Sequence, residues 1–206
     1  MEMHLLVRDL KGVPLGRHQF FVLLSGHSPQ TYRLPQAGVT LTSRKIGNRY
    51  GLVLGAQNKK VLKSSFNRLQ FVPFDASDLS CAREFFTGKP STLSTQFAYK
   101  SAQGKRVYPL KGRSEKELAK ALLKAIDFFV VNEGSQPISY PPPWLGKNSN
   151  SWTNSILDVI PAHLPDSDGR KFGDFAGADA GHDVRINSMY FTRVCQPCKV
   201  QNPAYR

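Results

Sequence analysis

The segment that most constrains this chain is Ser114-Glu115-Lys116-Glu117 and the apolar stripe behind it. A serine hydroxyl that accepts from the backbone three residues on, with a glutamate there to reach back, is a capping box and starts a helix. Leu118, Ala121, Leu122, Ala125, Ile126 and Phe129 then recur at helical spacing and make one apolar face. A helix that is apolar on one side must bury that side against a second layer. The chain supplies such a layer as short apolar runs bounded by turn residues. Gln19 to Leu24 reads as a buried strand, Gln30 to Leu34 and Val39 to Thr42 as two more, and Tyr50 to Gly55 as a fourth. Phe66 to Phe74 continues the pattern, with Pro73 limiting how central it can be. The fold class expected is therefore α+β, a small antiparallel sheet packed against helices.

Two further helices are expected. Asp75 to Phe86 has Ser77 and Asp78 as caps before Leu79, Ala82, Phe85 and Phe86. After the stiff Pro141-Pro142-Pro143 segment, Asn150 or Ser151 can cap a helix through Trp152, Ile156, Leu157 and Ile160, stopped by Pro161. Between Thr87 and Gly112 the chain is polar and turn-rich, with a hairpin expected around Gln103-Gly104, and one strand is expected at Arg185 to Phe191. The 206 residues suit a single domain, 1–206, with a core over 17–191 and an irregular tail over 192–206.

Lys and Arg number 28 against 15 Asp and Glu, a formal charge of +13. A field of that sign favours polyanions: nucleic acid, anionic lipid, or an anionic cell-wall polymer. No stretch approaches the roughly 18 apolar residues of a membrane span, and Met1 to Asp9 lacks the form of a secretory signal. Three cysteines, Cys81, Cys195 and Cys198, make no paired framework. Cys195-Gln196-Pro197-Cys198 has zinc or redox spacing, but too few further ligands accompany it, and it lies in a proline-containing tail. No metal or cofactor is expected.

The chemistry is concentrated in Asn148-Ser149-Asn150-Ser151-Trp152, a polar tract that opens an apolar helix. Asn and Ser are good N-caps, and that accounts for them structurally. A nucleophile at a helix N-terminus would also gain from the dipole and from free backbone N–H groups. The order is a histidine, His18, heading an apolar strand, then more strands, then this helix. It resembles circularly permuted papain-like domains of the NlpC/P60 and lecithin-retinol-acyltransferase group. The tract and the Phe175-Ala176-Gly177-Ala178-Asp179 stretch resemble more specifically the Asn-Ser-Asn-Ser domains of bacterial polymorphic toxins of the Rhs type.

That resemblance implies a permuted papain-like core and a hydrolase acting on an amide or ester bond, with a peptidoglycan peptidase or amidase favoured and a lipid acyl hydrolase the variant. Ser149 would stand where the family usually has cysteine, and His18 would be the base. Asn148, Asn150 and Ser151 would form the helix N-terminus that binds an oxyanion. The residue orienting His18 is left open among Gln30, Tyr32 and Asn48, with His27 and His182 as fallback bases. A serine hydroxyl is far less acidic than a thiol, so the assignment requires an imidazole nitrogen within about 2.6–3.2 Å of Ser149 Oγ. Without it the domain would be a pseudoenzyme. The implied setting is a bacterial effector made in the cytoplasm, for which export by a dedicated secretion system would be needed and an immunity protein would be the partner. The other reading of the same sequence is a non-catalytic basic module that binds nucleic acid or anionic lipid.

Overall fold

A computed structural model describes residues 1–9, 17–60, 67–90, 102–140, 148–164 and 184–194. The architecture is α+β. Seven strands form one sheet in the order β5-β6-β2-β1-β8-β9, with β7 also pairing β6. The strands are β1 (Glu2–Asp9), β2 (Arg17–Leu24), β5 (Arg44–Ile46), β6 (Arg49–Lys60), β7 (Asn67–Pro73), β8 (Gln103–Pro109) and β9 (Ala162–His163). All their pairings are antiparallel. β3 (Thr31–Leu34) and β4 (Val39–Thr42) form a separate hairpin. Four helices complete the described chain: α1 (Ala76–Thr87), α2 (Glu115–Ser135), α3 (Ser149–Val159) and the short α4 (Met189–Thr192).

The sheet is covered on both faces, which explains why β2 is a continuous apolar run and not an alternating one. Met3, Leu5, Val7, Phe21, Leu23, Leu52 and Leu54 pack with Leu118, Leu122 and Phe129 of α2 and Trp152 and Ile156 of α3. On the other face Leu6, Phe20, Val22 and Val53 pack with Leu79, Cys81 and Ala82 of α1. The capping box is present: Glu117 N donates to Ser114 Oγ (3.2 Å), and Ser114 N donates to Glu117 Oε2 (2.8 Å). No helix among the described residues is long and apolar enough to cross a membrane.

Four expectations are corrected. The chain's first residues are β1, a central strand with Leu5 and Leu6 fully buried, so the core begins upstream of residue 17. Around Gln103-Gly104 there is no hairpin turn but the strand β8, paired with β1. Arg185 to Phe191 forms no strand and enters α4 at Met189, held because the Asn132 side chain donates to the carbonyls of Tyr190 (3.1 Å) and Arg193 (2.7 Å). The cap of α3 is Asn148, two or three residues earlier than expected.

Candidate functional site

The polar groups that drew attention in the sequence gather at the start of β2. The β2–β6 ladder ends at Phe21 opposite Leu54, while β6 continues along β7 from Leu54 to Lys60. Toward its own start β2 is met by the first turn of α3 instead. Asn150 Oδ1 accepts from Gln19 N (2.9 Å), and Asn150 Nδ2 donates to Arg17 O (3.0 Å). The asparagine amide thus does for the peptides flanking His18 what a neighbouring strand would do, satisfying buried groups that are costly to leave unpaired. One turn on, the Thr153 hydroxyl donates to Gln19 Oε1 (2.8 Å).

Asn148 closes the start of α3. Its Oδ1 accepts from Asn150 N (2.9 Å) and Ser151 N (3.1 Å), and its own N–H donates to Ser151 Oγ (3.2 Å). The backbone N–H groups of Asn150 and Ser151, expected to bind an oxyanion, are therefore already engaged by the cap. Ser149 is the first residue of α3 and is buried. Its neighbour is Tyr140: burial raises that phenol above its ordinary range, partly offset by hydrogen bonding to Ser149 and by the charge of Arg8.

His18 belongs to a different set of contacts. Strand alternation sends Gln19 and Phe21 toward α3 and His18 and Phe20 toward α1. His18 stacks on Phe20 (ring centroids 5.9 Å, 20° between planes), and its Nε2 lies 3.0 Å from Asp78 Oδ2. Arg8, directly across the β1–β2 ladder from His18, donates from Nε to Asp78 Oδ1 at 2.7 Å. Gln57 of β6 donates from Nε2 to Oδ2 at 3.2 Å. Three adjacent strands therefore each send one polar side chain to a single carboxylate on the third residue of α1. Gly55 makes room for it, since a Cβ there would lie 2.9 Å from Asp78 Oδ2 and 3.5 Å from His18 Nε2.

The cluster is buried: Arg8 is 8%, His18 3% and Asp78 0% exposed. Burial alone would raise the Asp78 carboxyl, but His18 and Arg8 outweigh it and hold it below its ordinary value. Nε2 is thus the ring nitrogen of His18 placed to donate to the ionised Asp78 carboxylate.

The structure thus brings the backbone of His18 to the first turn of α3, but not the two side chains to each other. His18 points to the α1 face, α3 packs on the opposite face, and among the described residues no hydrogen bond joins Ser149 to His18. None of the three orienting candidates touches His18. Gln30 and Tyr32 bond each other (2.9 Å) at the β3–β4 hairpin, and the Asn48 carbonyl faces His27 Nδ1 (3.2 Å) in an exposed turn. The group that holds His18 is Asp78, which the sequence suggested only as a helix cap; the cap is Asp75, which accepts from Ser77 and Asp78 backbone N–H groups. His182, Cys195 and Cys198 lie outside the described residues. Cys81 is buried, and burial with the Asp78 charge pushes its thiol up to about 12. Among the described residues no cluster of three or more His, Cys, Asp or Glu could hold a metal ion.

No protein-family model matches the chain, and neither a curated protein nor a solved structure matches it significantly.

Proposed function

We propose that the chain is a hydrolase of amide or ester bonds, built on a permuted papain-like core, with Ser149 as nucleophile and His18 as base oriented by Asp78. The observation that carries this reading is the buried Arg8–Asp78–His18 arrangement on a strand whose backbone, on either side of His18, is held by Asn150 in the first turn of the Ser149 helix. Charged groups are seldom buried without a use, and a fixed carboxylate–imidazole pair is what a base next to a serine needs. Asp78 sets the tautomer, so Nδ1 accepts the Ser149 proton as Oγ attacks the carbonyl carbon. The imidazolium then returns that proton to the leaving amine or alcohol, and a water deprotonated by the same base attacks the acyl-Ser149 ester, releasing the acid and restoring the Ser149 hydroxyl. The reading requires Ser149 Oγ to reach Nδ1 around the end of β2, where Asn150 is seated. The positive charge of the chain favours an anionic substrate, cell wall or phospholipid, and an effector role fits the resemblance of the Asn148–Trp152 tract.

A serine-directed fluorophosphonate probe tests it. Labelling should fall on Ser149 and be lost in Ser149→Ala, and it should drop by about 10²-fold or more in His18→Gln, with both variants still folded by circular dichroism. A folded protein that neither labels nor turns over peptidoglycan fragments or phospholipid esters removes the reading.

The separation of Ser149 from His18 favours a second reading, a non-catalytic basic module. Its affinity for nucleic acid or anionic lipid would fall steeply as salt rises, while His18 and Asp78 would serve only to join β1, β2 and β6 to α1.

A further inference from the structure

A cavity of about 310 Å³ lies between the β3–β4 turn and α2, apart from the cluster around Asp78. Its rim carries three cations: Arg33 from β3, and Lys120 and Lys124 one helical turn apart on α2. Its apolar lining comes from Pro35, Leu123 and Phe128. The one acid at the site, Asp127, is spent on the backbone. Its Oδ2 accepts from Gln36 N (3.1 Å) and its Oδ1 from Ala37 N (2.9 Å), which fixes the hairpin turn against the helix. Among the described residues none of the three cations forms an ion pair, while several arginines elsewhere do: Arg49 with Glu2, Arg68 with Glu133, Arg106 with Glu115, Arg113 with Glu117. Lys124 Nζ lies over the Phe128 ring, 5.6 Å from its centre, and both side chains line the cavity.

Like charges one turn apart on a helix destabilise it, and here a third cation, Arg33, lines the same cavity. A volume near the lower end of ligand pockets, with an apolar wall and a few polar groups at its edge, suits a small molecule. A single carboxylate would leave two of the three charges uncompensated, whereas a phosphate monoester, with close to two negative charges and three acceptor oxygens, leaves about one and can offer an acceptor to each cation. We propose that this cleft binds a small phosphate monoester with a compact apolar or aryl body, the phosphate held by Arg33, Lys120 and Lys124 and the body resting on Leu123 and Phe128. The site is independent of the hydrolase reading and stands if that reading falls.

Phenyl phosphate is the probe, titrated into the full chain by calorimetry with phenol, benzoate and inorganic phosphate as comparisons. Saturable binding with a stoichiometry of one is expected, tighter than for any of the three fragments. The triple variant Arg33→Gln, Lys120→Gln, Lys124→Gln should weaken it by at least about tenfold. A control triple, Lys45→Gln, Lys59→Gln, Lys89→Gln, removes the same charge from exposed positions elsewhere and should change it by less than about twofold. Absence of saturable binding overturns the proposal. So does equal weakening by the two triples, which would reduce the effect to net charge, or binding of phenol as tight as that of its phosphate. The residues altered are exposed, and unchanged melting curves for both triples guard against misfolding.

Discussion

Asp78→Asn isolates the electrostatic centre of the fold, because asparagine keeps the shape and one acceptor but removes the charge. In the wild type that carboxylate is fully buried and receives Arg8 at 2.7 Å, His18 at 3.0 Å and Gln57 at 3.2 Å. After the change Arg8, only 8% exposed, keeps a buried charge with no ionised partner in contact except the longer approach to Asp75 at 3.8 Å. Breaking a buried pair in this way costs about 3–5 kcal/mol. Against a total stability of about 5–15 kcal/mol, that leaves a folded but weakened protein. With a urea slope of about 2 kcal/mol/M, the midpoint should fall by roughly 1.5–2.5 M at pH 7. The pH dependence carries a second check. The folded Asp78 carboxyl lies below its ordinary value, so its contribution is complete above the unfolded range near pH 4 and is lost only as pH falls through the lowered folded value. The gap between wild type and variant should therefore persist from pH 7 to about pH 4 and close below it. A cost under about 1 kcal/mol at pH 7 would refute the argument, because it would mean that Arg8 finds solvent once the carboxylate is neutral.

Leu122 is fully buried between α2 and the sheet, so Leu122→Ala should cost about 2–5 kcal/mol in a urea melt; a value under about 1 would place the α2 stripe elsewhere. Asn150→Ala strands the Gln19 N–H and the Arg17 carbonyl, at about 1–3 kcal/mol. Amide exchange at Gln19 should then accelerate relative to Phe21, and unchanged exchange would show that a strand or water replaces the asparagine. Cys81, with its thiol pushed up to about 12, should react with iodoacetamide at pH 8 about a thousandfold or more slowly in the native protein than in urea. Peptide mass spectrometry reads this directly, and comparable rates would contradict its burial.

The legible parts of the fold were those in which one local pattern suffices. Ser114 and Glu117 define a helix start without reference to anything distant, and Leu118, Leu122 and Phe129 define the face that must be covered. Gln19 to Leu24 reads as a buried strand from composition alone. Position within the sheet is different information. Met-Glu-Met-His-Leu-Leu-Val-Arg-Asp has apolar residues on both faces because α1 and α2 cover it from either side, and a two-sided strand offers no alternation to read. Gln103 to Pro109 owes its strand state to the open edge of β1, whose location no short window contains. Arg185 to Phe191 failed for the same reason in reverse, since three contacts from Asn132 to backbone carbonyls hold it as a turn and helix.

At the candidate site the motif was legible and its orientation was not. Sequence order places the His18 strand before the Ser149 helix, and the structure does bring them together through Asn150. What order cannot fix is parity: one residue along a strand reverses the face, so that Gln19 meets α3 while His18 meets α1. A signal for the partner of His18 was nevertheless present. Arg8 follows Leu6 by two positions, His18 precedes Phe20 by two, and Asp78 precedes Cys81 and Ala82 by three and four. Each of these residues thus extends the apolar face that ends up in the α1 layer. A charge that continues an apolar stripe must either break the packing or meet an opposite charge there. Two cationic or imidazole groups on neighbouring strands and one carboxylate on the covering helix satisfy that demand mutually. Asp78 is therefore better read as the counter-charge of β1 and β2 than as the cap of its own helix.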